Sequence, residues 1–241
     1  MNVTIEKKEY SSVAWIKGKT HPYYEDSFRL LSRDIGLVET VGRGEIFAVF
    51  DGIGSTKHGR HSAQKMAESL LECFRHPEKI LKNRESLYTH LFNTNMEIAS
   101  LDTDSTGYYP DVGCVGTVLW IMGNTAHIFH AGDTAAVHVV GRKKGLLTTT
   151  HQTSEGYVTR YFGQGSSFHM DVQSMILEEG DRIYLMSDGV SKVIHPADAA
   201  LSYDESPDLI ENVRTITKKA LHLGSTDDIT VLCVDIEEIW E

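Results

Sequence analysis

Several things are scarce in this sequence, and each scarcity excludes a class of protein. Its 241 residues hold three cysteines, Cys73, Cys114 and Cys233, far apart and odd in number. They form no CxxC pair, so neither a disulfide framework nor a cysteine zinc site is expected. None stands in a CxxxxxR phosphate loop either: six residues beyond them come Lys79, Trp120 and Ile239. No apolar run approaches the roughly 20 residues of a membrane helix. The opening residues lack the apolar stretch of a secretion signal, so the chain reads as cytoplasmic, without a membrane partner. Positive charge is also short, with 23 Lys and Arg against 34 Asp and Glu, a net charge of −11. No basic stripe is present, which argues against a nucleic-acid partner. Glycines at 54 and 59 have P-loop spacing, but Arg60-His61 replaces the Lys-Ser/Thr that motif needs.

What is present is an ordinary globular composition, 41% hydrophobic and 24% charged. Residues 46–50 are a short apolar run that reads as a buried strand. Helical spacing predicts one helix over 63–74, with Pro77 just beyond, a second over about 79–99, and a third over 207–223. Residues 102–111 read as a loop. Between 114 and 140 three β-rich segments follow one another. Gly123-Asn124 and Gly132-Asp133 are placed as turns of antiparallel hairpins, and Glu179-Gly180-Asp181 joins a further strand pair. A last strand covers 229–234. No linker divides the chain, so residues 1–241 are expected to form one domain. Grouped helices around consecutive strands predict an α+β fold of antiparallel sheets with helices outside. The widely scattered Trp15, Trp120 and Trp240 are assigned to packing. His127 and His130, three apart on a strand, face opposite sides.

The acidic residues recur in one context. Asp51 and Asp188 end predicted strands and precede glycines, Asp133 follows a strand and Gly132, Asp227-Asp228 precede the last strand, and Glu25-Asp26 precede the segment SFRLL. Asp-Gly is a common turn dipeptide, and any one of these alone reads as a turn. Together they suggest strand ends meeting at one rim. Clustered carboxylates repel unless cations neutralise them, and hard oxygen ligands suit Mg²⁺ or Mn²⁺.

The ordered segments give a sharper reading. Tyr24-Glu25-Asp26, Phe47 through Gly54, Val115-Gly116-Thr117 with Gly132-Asp133-Thr134, Leu147 through Gln152, Gly180-Asp181 through Gly189, and Gly224 through Val231 come in the order of the PPM (phosphatase 2C-like) family. The chain resembles that family from about residue 20 to 236, most closely its bacterial stand-alone members. The resemblance implies a four-layer αββα sandwich and hydrolysis of phosphoserine and phosphothreonine by a hydroxide bridging two metal ions. It assigns Asp51 to bridge two Mn²⁺ or Mg²⁺ ions, Asp188 and Asp227 to complete one site, and the Gly52 carbonyl with Glu25 to serve the other. Asp133 matches the position of a third, weaker ion, and Asp26 a carboxylate that orients a metal-held water. It implies a monomer acting on phosphoproteins made by a serine/threonine kinase. Departures are His21 in place of the phosphate-binding arginine, Tyr24 for the asparagine before Glu25, Ile53 for a histidine of some eukaryotic members, Ala135 for an arginine, and Asp228 for the usual asparagine. His21 and Ala135 keep one alternative open, a weak or inactive member of the fold that binds phosphoproteins as a regulator.

Overall fold

The computed structural model describes residues 2–102, 111–201 and 208–239. The strands are β1 Thr4–Lys7, β2 Ser11–Ile16, β3 Ser27–Leu31, β4 Glu45–Gly52, β5 Cys114–Met122, β6 Thr125–Ala131, β7 Ala135–Val140, β8 Lys143–Leu146, β9 Asp171–Ile176, β10 Asp181–Met186 and β11 Ile229–Asp235. The helices are α1 Gly36–Val41, α2 Gly59–Ser69, α3 Glu72–Arg75, α4 Arg84–Ala99, α5 Asp188–Ser191, α6 Pro196–Leu201 and α7 Leu209–His222.

The strands form two antiparallel sheets, ordered β1-β2-β11-β10-β7-β8 and β3-β4-β5-β6-β9. Alternation explains how they stack, because successive side chains on a strand point to opposite faces. Phe47 and Val49 of β4, Leu119 and Ile121 of β5, Ile183 and Leu185 of β10, and Leu232 and Val234 of β11 share one core between the sheets. The opposite parity of β4 and β5, Ile46, Ala48, Phe50, Val118 and Trp120, packs outward with Met66 of α2, Leu70 just beyond it, and Leu87 and Leu91 of α4. On the other side, Tyr184, Met186, Val231 and Cys233 face Val213, Ile216 and Ala220 of α7. The result is the four-layer αββα sandwich.

Some expectations change. Gly123-Asn124 does turn a hairpin, since β5 pairs with β6. Gly132-Asp133 does not: β6 lies in one sheet and β7 in the other, so this corner carries the chain across the sandwich. The same holds for Glu179-Gly180, between β9 and β10. Local turn chemistry looks alike in both cases, and the sheet that a strand joins depends on distant partners. The helix expected over 63–74 breaks after Ser69 and resumes as the short α3. The second helix begins at Arg84, where the Asn83 side chain accepts the N–H of Ser86 at 2.8 Å, a cap that fixes the start. Of the loop expected over 102–111, residues 103–110 lie outside the described residues, as does Trp240. Trp120 is buried, and Trp15 packs beside Phe28 with ring centroids 4.9 Å apart.

Candidate metal centre

The register of the strands brings the acidic segments to one rim. Ser27 pairs with Phe50, Met186 pairs with both Ala135 and Val231, and Ile229 pairs with Ile16. The residues just beyond these pairs therefore meet. Parity then aims them: Asp51 continues the inward set of Phe47 and Val49, and Asp228 and Thr230 continue that of Leu232 and Val234. The apolar inter-sheet core thus becomes a carboxylate cluster at this end.

A cavity of about 160 Å³ opens there, lined among others by His21, Glu25, Asp51, Gly52, Asp133, Asp188, Lys192, Asp227 and Asp228. Asp51 and Asp188 both line it. Burial pushes the Asp51 carboxyl well above the usual carboxylate range, and the neighbouring charges of Asp26 and Asp188 add to it. Burial, with the charge of Asp188, raises Asp133 to about 6. Burial raises Glu25 and Asp188 too, though His21 and Lys192 respectively oppose the rise. Asp26 lies deeper, 3% exposed, and burial raises it to about 8 against a hydrogen bond donated by the Thr230 hydroxyl.

The surroundings hold these groups in place. Asp228 accepts the backbone N–H of Gly18 and of Glu25, each at 2.6 Å. The Gly189 backbone lies so close to the Asp228 carbonyl that a Cβ would stand 2.0 Å from its oxygen, which explains the glycine after Asp188. The Tyr24 hydroxyl meets that of Thr230 at 2.6 Å, giving the residue at the usual asparagine position a packing role. His151 grips the crossing corner, its N–H donating to the Gly132 carbonyl at 2.8 Å and its Nδ1 accepting the Gly132 N–H at 3.1 Å. Gln152 donates to Asp133. The His21 ring sits against Gly54, its Nδ1 3.6 Å from Glu25.

The residues present suit divalent cations. The buried oxygens Glu25 Oε2, Asp26 Oδ1, Asp133 Oδ1 and Asp188 Oδ1 have no hydrogen-bond partner, and a hard oxygen donor set of this kind matches Mg²⁺ or Mn²⁺ chemistry. Among the described residues, no group of three or more His, Cys, Asp or Glu side chains yet stands in metal-binding geometry. One residue that the sequence analysis does not single out sits among these acids. The Lys192 ammonium lies 2.7 Å from Asp188 and 2.6 Å from Asp227. Its i+4 spacing from Asp188 was the one available signal.

The family model described as Protein phosphatase 2C matches residues 29–222. The chain belongs to the protein phosphatase 2C family. Among its relatives, Protein phosphatase PhpP of Streptococcus pneumoniae is 24% identical over 222 residues, 83% of this chain and 89% of the relative. The structure of the S. agalactiae serine/threonine phosphatase superposes with a TM-score of 0.78 at 20% identity, covering 97% of this chain and 100% of that one. The catalytic domain of the serine/threonine phosphatase PstP, in complex with two manganese ions, superposes with a TM-score of 0.76 at 19% identity, over 97% and 99% of the two chains. Among the described residues, no helix is long and apolar enough to cross a membrane.

Proposed function

We propose that this phosphatase 2C chain removes phosphate from phosphoserine and phosphothreonine in proteins, with two divalent ions held at the sandwich rim. The observation that carries it is the meeting of Glu25, Asp51, Asp133, Asp188 and Asp227 in one cavity, with buried carboxylate oxygens left unbonded. Asp51, Asp188 and Asp227 would hold one ion, and Asp51, Glu25 and the Gly52 carbonyl the other. Asp133, tethered by Gln152, suits a third. When bound, such ions acidify a water and neutralise phosphoryl oxygens, so no cysteine or histidine nucleophile is needed. Mn²⁺ is the first choice because the PstP structure carries two of them.

The chain's own groups hold this machinery in position. Asp228 fixes the main chain at Glu25, and Asp26, bonded to Thr230, backs the cluster from below. His21 lines the cavity, where an imidazole N–H offers one hydrogen bond to a phosphoryl oxygen in place of an arginine's two. The same reading has residues 1–241 act as one phosphatase unit, a cytoplasmic monomer whose substrates are phosphorylated by a serine/threonine kinase. The test is hydrolysis of a phosphothreonine peptide in Mn²⁺. Turnover that chelation leaves intact, or an absence of turnover across a panel of phosphopeptides, rejects it.

A further inference from the structure

Lys192 follows the single turn of α5, one helical turn beyond Asp188, so its side chain lies back over that carboxylate. Asp227 comes from a distant part of the chain, the loop before β11. The ammonium contacts both, at 2.7 and 2.6 Å. An exposed lysine paired with one acid would be an ordinary surface ion pair of small consequence. Here both acids line the carboxylate cavity, together with Asp51. Two acids that would repel are held by one tethered cation.

We infer that Lys192 is a built-in counter-ion of the metal centre, occupying the cation position between Asp188 and Asp227 and competing with a divalent ion for it. The inference rests on the metal-dependent reading above and concerns this chain's own residue toward that metal. Lys192 holds the Oδ2 atoms of Asp188 and Asp227, so a divalent ion drawn to these two carboxylates would meet a like charge a few ångströms away. Metal entry is therefore favoured by the lysine swinging away. It has somewhere to go: its side chain is 52% exposed, and it also lines a neighbouring cavity of about 470 Å³ with Thr150, Gln152 and His195. The consequence is a centre that fills only at higher metal concentration and whose acids stay paired until then.

The experiment is a Mn²⁺ titration of the full chain by calorimetry, with free Mn²⁺ followed by electron paramagnetic resonance. Wild type is compared with Lys192→Met, which keeps the stem and loses the charge, and Lys192→Arg, which keeps the charge. Expected are Mn²⁺ affinity tighter by about tenfold for one site in Lys192→Met, affinity near wild type in Lys192→Arg, and a lower metal-free melting temperature in Lys192→Met than in wild type. Should Lys192→Met fail to fold, Lys192→Gln takes its place in the same titration. Equal Mn²⁺ affinity in wild type and the neutral variant overturns the role of the lysine and leaves the metal reading standing. An absence of Mn²⁺ binding in every protein overturns both.

Discussion

The carboxylate of Asp228 accepts the main-chain N–H of Glu25 at 2.6 Å across a sequence separation of 203 residues. Its other oxygen accepts the N–H of Gly18 at 2.6 Å. The acid that replaces the family's usual asparagine is thereby a two-point clasp between the last strand and the segment that carries His21 and Glu25.

Asparagine at 228 has one carbonyl oxygen and an amide that can only donate, so it satisfies one of those two N–H groups. Asp228→Asn should cost about 1–2 kcal/mol, a fall in Tm of roughly 2–8 °C for a chain of this size. Thermal unfolding with and without Mn²⁺ measures it. An unchanged Tm would show that the clasp adds nothing.

Asp188→Asn removes a carboxylate assigned to the proposed centre while keeping its shape. Its phosphopeptide turnover should fall by at least about a hundredfold, with far-UV circular dichroism unchanged. Chelation of wild type should have the same effect, reversed by adding Mn²⁺. Full activity of the variant contradicts the assignment.

His151 is 8% exposed and bonds both backbone polar groups of Gly132. His151→Ala leaves a buried N–H without its acceptor, at a cost of about 1–3 kcal/mol. The same change loosens the corner that carries Asp133, so turnover should fall less than it does in Asp188→Asn. Urea unfolding and steady-state kinetics report the two effects. Wild-type stability would mean that the corner holds without the imidazole.

His130 is 2% exposed, and burial lowers its pKa from about 6.5 to about 4. The ring lies 2.9 Å from the Thr117 hydroxyl and 3.1 Å from the Thr149 carbonyl, an arrangement that suits a neutral imidazole. The unfolded chain therefore binds more protons than the folded one between pH 6.5 and 4, so stability from this group falls as pH drops through that window, by about 3 kcal/mol in all. Denaturant unfolding across pH 4 to 7.5 should show a shallower acid slope in His130→Gln than in wild type. Identical slopes would count against a buried neutral ring.

Much of the architecture was legible from residues alone. The apolar stretches became β4, β5, β6, β7, β10 and β11, because a strand buried on both faces must be apolar throughout. The acids beside glycines were legible as a set, through their shared position at strand ends. The strands β1 and β2 are not legible in the sequence: Ser11 and Ser12 open β2, which becomes an interior strand only by pairing with β1 on one side and β11 on the other. The corner at Gly132-Asp133 was misread as a hairpin because its local chemistry is that of any turn. Lys192 was missed because its i+4 partner Asp188 is visible in sequence, whereas its second partner, Asp227, is not.

The sequence by itself determined the kinds of donor available, hard oxygens rather than thiols, and for Asp51 the side of its strand on which it falls, since parity is a local property. Tertiary structure alone decided that Asp188 and Asp227, which lie outside β10 and β11 on the parity of the helix-facing residues, turn towards the same cavity. Two sheets had to stack with their inward faces in register before Asp51, from one sheet, and Asp188 and Asp227, from the other, could share a cavity. Contact between groups more than a hundred residues apart depends on long-range strand pairing, which no local pattern encodes.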